Sequence, residues 1–122
     1  MNDKKRILVA EDEVIIAECL IQDLRDVGYE ADYVTSGEKV VSFVEKAEYD
    51  IILMDIHLSG RLNGIKAAKQ IAVKHDVPFL FITGYDEEYL YEEAKEVKPI
   101  AYVHKPIEVE EIIKLLDSHF SK

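Results

Sequence analysis

The feature that most constrains this chain is a set of five short apolar runs: Ile7–Ala10, Ala31–Val34, Ile51–Met54, Val77–Ile82 and Ile100–Val103. Each is too short for a helix and long enough for a strand, and segments of helical periodicity separate them. In the first of these, Ile16, Leu20, Leu24 and Val27 recur at three- or four-residue steps, and Gly28 supplies a stop. Ser36 is placed to cap a second helix carrying Val40, Val41 and Val44. A third carries Ile65, Ala68, Ile71 and Ala72, with Ala67, Ala68 and Ala72 suited to close packing on a sheet. A fourth, Glu87–Glu96, is weakly apolar and rich in Tyr and Glu, and the last carries Ile112, Ile113, Leu116 and Phe120. Strands alternating with helices specify an α/β unit with a parallel sheet. Ile51–Met54 and Pro78–Ile82 are apolar throughout, as strands covered on both faces must be.

The expected fold is a flavodoxin-like, doubly wound (βα)5 sandwich with a five-stranded parallel sheet in the order 2-1-3-4-5. At 122 residues the chain reads as a single domain, residues 1–122, with no separate output domain. The net charge of −10 repels phosphate backbones, which argues against direct nucleic-acid binding. No apolar run approaches the ~20 residues that span a bilayer, and Ile7–Ala10 is too short for a signal peptide. Cys19 is the sole cysteine, so no internal disulfide forms; it reads as a small core residue, and a cytoplasmic setting is expected. Acidic clusters at Glu11–Glu13, Asp86–Glu88 and Glu108–Glu111 suit helix starts, which accounts for part of the acid.

In parallel sheets, functional groups gather beyond the carboxyl ends of the strands. Here the first strand runs into Glu11, Asp12 and Glu13, the third ends at Asp55, the fourth at Thr83 and Gly84, and the fifth at His104, Lys105 and Pro106. The 2-1-3-4-5 order would bring acids, a hydroxyl and an ammonium to one edge. Clustered carboxylates repel one another, and a hard divalent cation relieves the conflict. Mg²⁺ prefers oxygen and needs only one or two protein carboxylates, a demand met by Asp12 and Asp55 with Glu11 or water. A carboxylate is also a nucleophile toward phosphorus, with Lys105 and Thr83 placed to hold phosphoryl oxygens. Taken singly, each has a plainer explanation: Asp12 as a helix cap, Asp55 and Thr83 as turn formers, Lys105–Pro106 as a solvated turn. Four such groups at four strand ends are hard to assign to chance.

The stretches ILVAEDE at 7–13, DIILMD at 50–55, FLFITGY at 79–85 and AYVHKP at 101–106 resemble the receiver domain of two-component response regulators, over essentially the whole chain. The resemblance implies that Asp55 is the phospho-acceptor, taking a phosphoryl group from a phosphohistidine. It implies that Asp12, Asp55 and the backbone carbonyl of His57 ligate Mg²⁺, with Glu11 acting through water, and that Thr83 and Lys105 hold the phosphoryl oxygens. Tyr102, three residues before Lys105, matches the family's switch aromatic. Thr83 would follow the added charge, Tyr102 would rotate inward, and the surface of helix four, strand five and helix five would change, with Tyr89, Leu90, Tyr91 and Ala94 on or near it. The implied partners are a sensor histidine kinase or histidine phosphotransfer protein and a downstream output domain or protein, with homodimerisation on phosphorylation a further expectation. Such a domain is not an enzyme beyond catalysing its own phosphorylation and autodephosphorylation.

The segment after the acceptor departs from the commonest receiver pattern. Leu58 and Ser59 replace Met-Pro, and the stretch to Gly64 is one residue longer, which resembles a receiver subclass often attached to sensor histidine kinases. His57 and Tyr85 stand two residues beyond the acceptor and the Thr, where bulky side chains would slow hydrolysis. His75, His104 and His119 lack metal-ligand spacing, and His104 reads as a strand-end contact near Lys105.

Three other readings compete. A flavodoxin-type cofactor binder shares the architecture, but Glu11-Asp12-Glu13 would repel the cofactor phosphate. A haloacid-dehalogenase-like phosphatase also uses Asp and Mg²⁺, but Asp55-Ile56-His57 lacks the second acid of Asp-x-Asp, and the chain has no cap domain. A pseudo-receiver that binds partners without phosphorylation has no need of the complete acid, Thr and Lys set.

Overall fold

The structure is a computed structural model that describes residues 4–58, 60–84 and 90–121. Strands β1 (Arg6–Ala10), β2 (Glu30–Val34), β3 (Ile51–Asp55), β4 (Phe79–Thr83) and β5 (Ala101–His104) alternate with helices α1 (Val14–Asp26), α2 (Gly37–Lys46), α3 (Gly64–Lys74), α4 (Tyr91–Ala94) and α5 (Val109–Phe120). A 3-10 turn, Lys95–Val97, continues α4. All four strand pairings are parallel, and the sheet order is β2-β1-β3-β4-β5, as the sequence leads one to expect.

Strand side chains alternate between faces, and this divides the core in two. Leu8, Ala10, Ile52, Met54, Phe79 and Phe81 pack with Val40, Val44, Ile65, Ala68, Ile71 and Ala94 of α2, α3 and α4. Ile7, Val9, Ile51, Leu53, Leu80, Ile82 and Val103 pack with Leu20, Leu24, Ile112 and Leu116 of α1 and α5. β3 and β4 are buried at every residue, which accounts for the apolar runs that precede Asp55 and Thr83 at their ends.

Local signals act where expected. Ser36 accepts a hydrogen bond from the Lys39 N–H at 3.3 Å and caps α2. Gly28 ends α1 at a φ of 102°, in the region where a side chain is costly; its N–H reaches the Arg25 carbonyl at 3.0 Å, and the Tyr29 N–H reaches Leu24 at 3.1 Å. Glu110 and Glu111 fill the first turn of α5.

Several expectations do not hold. The buried stripe of α1 is Ala17, Leu20, Ile21 and Leu24, while Ile16 is 38% and Val27 52% exposed. Val27 lies just past the helix end, so the periodic step that selected it runs beyond the helix. Cys19 is exposed rather than in the core, because it stands two residues from Ala17, more than half a turn around the helix. Ala72 is exposed in the last turn of α3, whereas Ala67 and Ala68 are buried. The first turn of α1 holds no acid; Glu13 is its N-cap and makes no side-chain capping bond, so Asp12 is not a cap. β4 starts at Phe79, not Val77, and reaches Thr83. Of the fourth helix read over Glu87–Glu96, the described part begins at Leu90 and is helical at Tyr91–Ala94. The expectations for Ser59, Tyr85, Asp86–Glu88 and Tyr89 lie outside the described residues.

Candidate functional site

The strand register assembles the site. Ala10 pairs with Met54, Asp55 with Ile82, and Thr83 with His104, so the carboxyl ends of β1, β3, β4 and β5 lie side by side. Backbone bonds extend the ladders past the strand ends: the Glu11 N–H donates to the Val34 carbonyl at 3.1 Å, Ile56 to Ile82 at 3.0 Å, and Lys105 to Thr83 at 2.7 Å. The segments bearing Glu11, Asp55 and Lys105 are thus tied to the rigid sheet. Gly64, at the start of α3, passes so close beneath β3 that a Cβ there would stand 2.2 Å from the Asp55 carbonyl oxygen. Only glycine permits that approach.

Asp55 is completely buried, and both of its oxygens are engaged. The His57 N–H donates to Oδ1 at 2.9 Å, and the Lys105 ammonium donates to Oδ2 at 2.9 Å. Lys105 is about one-third exposed, so the pair joins an interior anion to a cation at the surface. Glu11 is also completely buried. Its Oε2 accepts from the Glu13 N–H at 3.1 Å, whereas Oε1 has no partner among the described residues. Burial pushes the Glu11 carboxyl up to about 7, and the negative charge of Asp55 adds to the rise; the Glu13 N–H and the Lys105 charge oppose it. Asp12 is half-buried. One carboxylate oxygen from each of Glu11, Asp12 and Asp55 lies within 4.8 Å of the other two.

This donor set fits Mg²⁺. All three side chains offer hard oxygen, and among the described residues one buried oxygen has no partner and the three acids face one ammonium. Neither sulfur nor imidazole contributes to the cluster, so its donors are hard oxygens alone. His57 engages the site through its backbone, and its side chain is exposed.

Thr83 is buried at the end of β4, and its hydroxyl meets Tyr91 Oη at 3.2 Å and His104 Nδ1 at 3.1 Å. Tyr91 Oη in turn meets His104 Nε2 at 3.2 Å. The Tyr91 ring stacks on Tyr102 with centroids 4.4 Å apart, and Tyr102 lies 6.1 Å from Phe81, its cross-strand neighbour. The Tyr102 hydroxyl oxygen is buried without a partner among the described residues. Sequence reasoning found Thr83 and Tyr102 but missed that Tyr91 and His104 hold the threonine. The available signal was a polar residue at the end of each of two adjacent strands, but only the register pairs Thr83 with His104.

Comparison with known proteins bears on this arrangement. Residues 7–117 match the response regulator receiver domain family. The transcriptional regulatory protein PdtaR of Mycobacterium tuberculosis is 32% identical over 119 residues, 97% of this chain and 58% of that protein. The sensory transduction protein RegX3 of Mycobacterium bovis is 34% identical over 107 residues, 88% of this chain and 47% of that protein. The chain therefore spans about half the length of these relatives. Among solved structures, the signal receiver domain of a modulated diguanylate cyclase from Desulfovibrio desulfuricans superposes with a TM-score of 0.86 at 29% identity, covering 95% of this chain and 93% of that one. A CheY-like receiver domain from Methylobacillus flagellatus gives 0.84 at 27% identity, covering 95% and 98%.

Proposed function

The chain belongs to the response regulator receiver domain family of two-component systems, and from that premise we propose that it accepts a phosphoryl group on Asp55 in a Mg²⁺-dependent transfer from a phosphohistidine. The observation that carries the reading is the Asp55 carboxylate itself. It is fully buried, held from two sides by the His57 N–H and Lys105, and clustered with the oxygens of Glu11 and Asp12. Burial with two fixed donors aims the carboxylate and leaves it no freedom to reorganise during attack.

An aspartyl oxygen forms a bond to phosphorus as the donor's P–N bond breaks, and the departing imidazole takes up a proton. Lys105 follows the charge from the carboxylate onto the phosphoryl oxygens, and Thr83 donates its hydroxyl proton to another of them. Mg²⁺, held by Asp12, Asp55 and the His57 carbonyl with Glu11 acting through water, would supply the remaining positive charge. Thr83 then moves toward the phosphoryl group, and Tyr102 changes its packing against Tyr91. The altered face of α4, β5 and α5 engages an output domain, an output protein or a second copy of the chain. The donor is a sensor histidine kinase or a histidine phosphotransfer protein, and the setting is cytoplasmic.

Incubation with Mg²⁺ and acetyl phosphate, followed by intact mass, tests the reading. One phosphate per chain is expected, none for Asp55→Asn, and none with excess chelator. Catalytic turnover of a phosphomonoester would instead favour the phosphatase reading, and the absence of any adduct would favour a pseudo-receiver.

A further inference from the structure

We propose that Glu38, in the first turn of α2, is a positioning residue for the Mg²⁺ site: its carboxylate holds the loop between β3 and α3 through the Arg61 N–H, and so sets the backbone that carries the His57 carbonyl. The inference rests on the phospho-acceptor reading above, which assigns that carbonyl to the metal. Two contacts carry it. The Arg61 N–H donates to Glu38 Oε2 at 3.1 Å, across 23 positions of sequence. The neighbouring Leu62 carbonyl lies so close to Gly37 that a Cβ there would stand 2.3 Å from its oxygen. The start of α2 therefore grips two successive residues of the loop, one by a hydrogen bond and one by backbone contact.

The loop has need of that grip. Its ends are fixed: the Ile56 N–H donates to the Ile82 carbonyl at 3.0 Å, the Gly64 N–H donates to the Ile56 carbonyl at 2.9 Å, and Asn63 caps α3 by accepting from the Lys66 N–H at 2.9 Å. Leu58 is buried in the core beneath α2 and α3 and anchors the first part. Arg61, by contrast, is exposed, so burial does not hold it. The stretch from Asp55 to Gly64 is one residue longer than the commonest receiver pattern and contains no proline to restrict its backbone. A longer, unstiffened loop samples more conformations, and only those that aim the His57 carbonyl at the acidic cluster serve the metal. Apparent affinity falls in proportion to the competent fraction. A hydrogen bond to a carboxylate is of the stronger kind, but Glu38 is exposed and water competes for it, so the effect is moderate. As a first-turn acid, Glu38 also favours α2 through the helix dipole, and its charge attracts Mg²⁺ at long range. Both of those effects depend on charge, whereas the anchor depends on an acceptor oxygen. Glutamine separates them, since it loses the charge and keeps the oxygen.

Mg²⁺ alone, titrated into the full chain and followed by the backbone amide spectrum, is the probe. Glu38→Ala should raise the Mg²⁺ midpoint by roughly 2- to 10-fold, the range set by the net worth of one hydrogen bond. Glu38→Gln should retain most of the parental affinity. The metal-free protein gives a second readout: hydrogen exchange at the Arg61 amide should quicken by a similar factor in Glu38→Ala and stay near the parental rate in Glu38→Gln. Equal weakening of Mg²⁺ binding by the two substitutions would assign the effect to charge and overturns the proposal. No weakening in Glu38→Ala, or an Arg61 amide whose exchange that substitution leaves unchanged, overturns it too. Absence of Mg²⁺ binding by the parent overturns both this proposal and the metal reading. The expected pattern of Mg²⁺ binding, with no adduct on Asp55 after acetyl phosphate, would fault the phospho-acceptor reading alone and leave the role of Glu38 standing.

Discussion

Glu11→Gln should stabilise the metal-free protein, and by an amount that depends on pH. Glu11 is wholly buried, has one oxygen with no partner among the described residues and faces the Asp55 charge. Its carboxyl is raised from the ordinary value of 4.5 to about 7 in the folded chain. In the unfolded chain the group ionises at its ordinary value, so the folded state holds the proton more tightly. Below 4.5 the residue is neutral in both states and carries no ionisation penalty. As pH rises from there through about 7, the folded state must either keep the proton alone or carry a buried anion, and stability falls. The full loss, reached above the folded value, is at most about 3 kcal/mol. Glutamine keeps the shape and the bond from the Glu13 N–H but cannot ionise. Urea denaturation with excess chelator near pH 8 should therefore favour Glu11→Gln by about 2–3 kcal/mol, with the gain shrinking to near zero near pH 4.5. Adding Mg²⁺ should reverse the order at high pH, because the parent alone gains the full binding free energy. A difference between the two proteins that is independent of pH, or a variant less stable in chelator at pH 8, would refute the argument.

Other perturbations follow from the same geometry. Lys105→Met removes the ammonium from a buried carboxylate and should cost about 1–3 kcal/mol in urea unfolding, while Asp55→Asn paired with it should recover part of that loss. Gly64→Ala drives a Cβ against the Asp55 carbonyl and should cost about 3 kcal/mol or more, whereas Gly28→Ala, with open space around it, should cost only about 1 kcal/mol through its positive φ; thermal unfolding of the pair separates steric from backbone cost. Tyr102→Ala should leave acetyl phosphate labelling of Asp55 near the parental rate but weaken phosphorylation-dependent binding of a partner, and loss of labelling would make Tyr102 structural instead.

Much was legible in the chain because it rests on short-range rules. Strands buried on both faces must be apolar throughout, so β3 and β4 announce themselves. Alternation of strand and helix leaves few topologies, and the observed order is among them. Once the strands are placed, the rule that groups gather at their carboxyl ends selects Glu11, Asp12, Asp55, Thr83 and Lys105. The α1 misplacement has a simple origin: periodicity says that a helix has a buried face but not which of two neighbouring stripes it is. The three- and four-residue steps therefore include Ile16, which is exposed, and miss Ile21, which is buried.

The sequence by itself determined which residue types stand at each strand end, because local burial and turn chemistry dictate them. Tertiary structure alone decided which of them meet. The facing of Asp55 and Lys105, fifty positions apart, and the burial of the Glu11 carboxylate depend on sheet register and packing density. The meeting of Thr83, Tyr91 and His104 depends on which strand ends become neighbours. Burial then converts the Glu11 carboxyl, an ordinary acid in a peptide, into a group that titrates near neutrality, because desolvation acts only on a charge that the fold has removed from water.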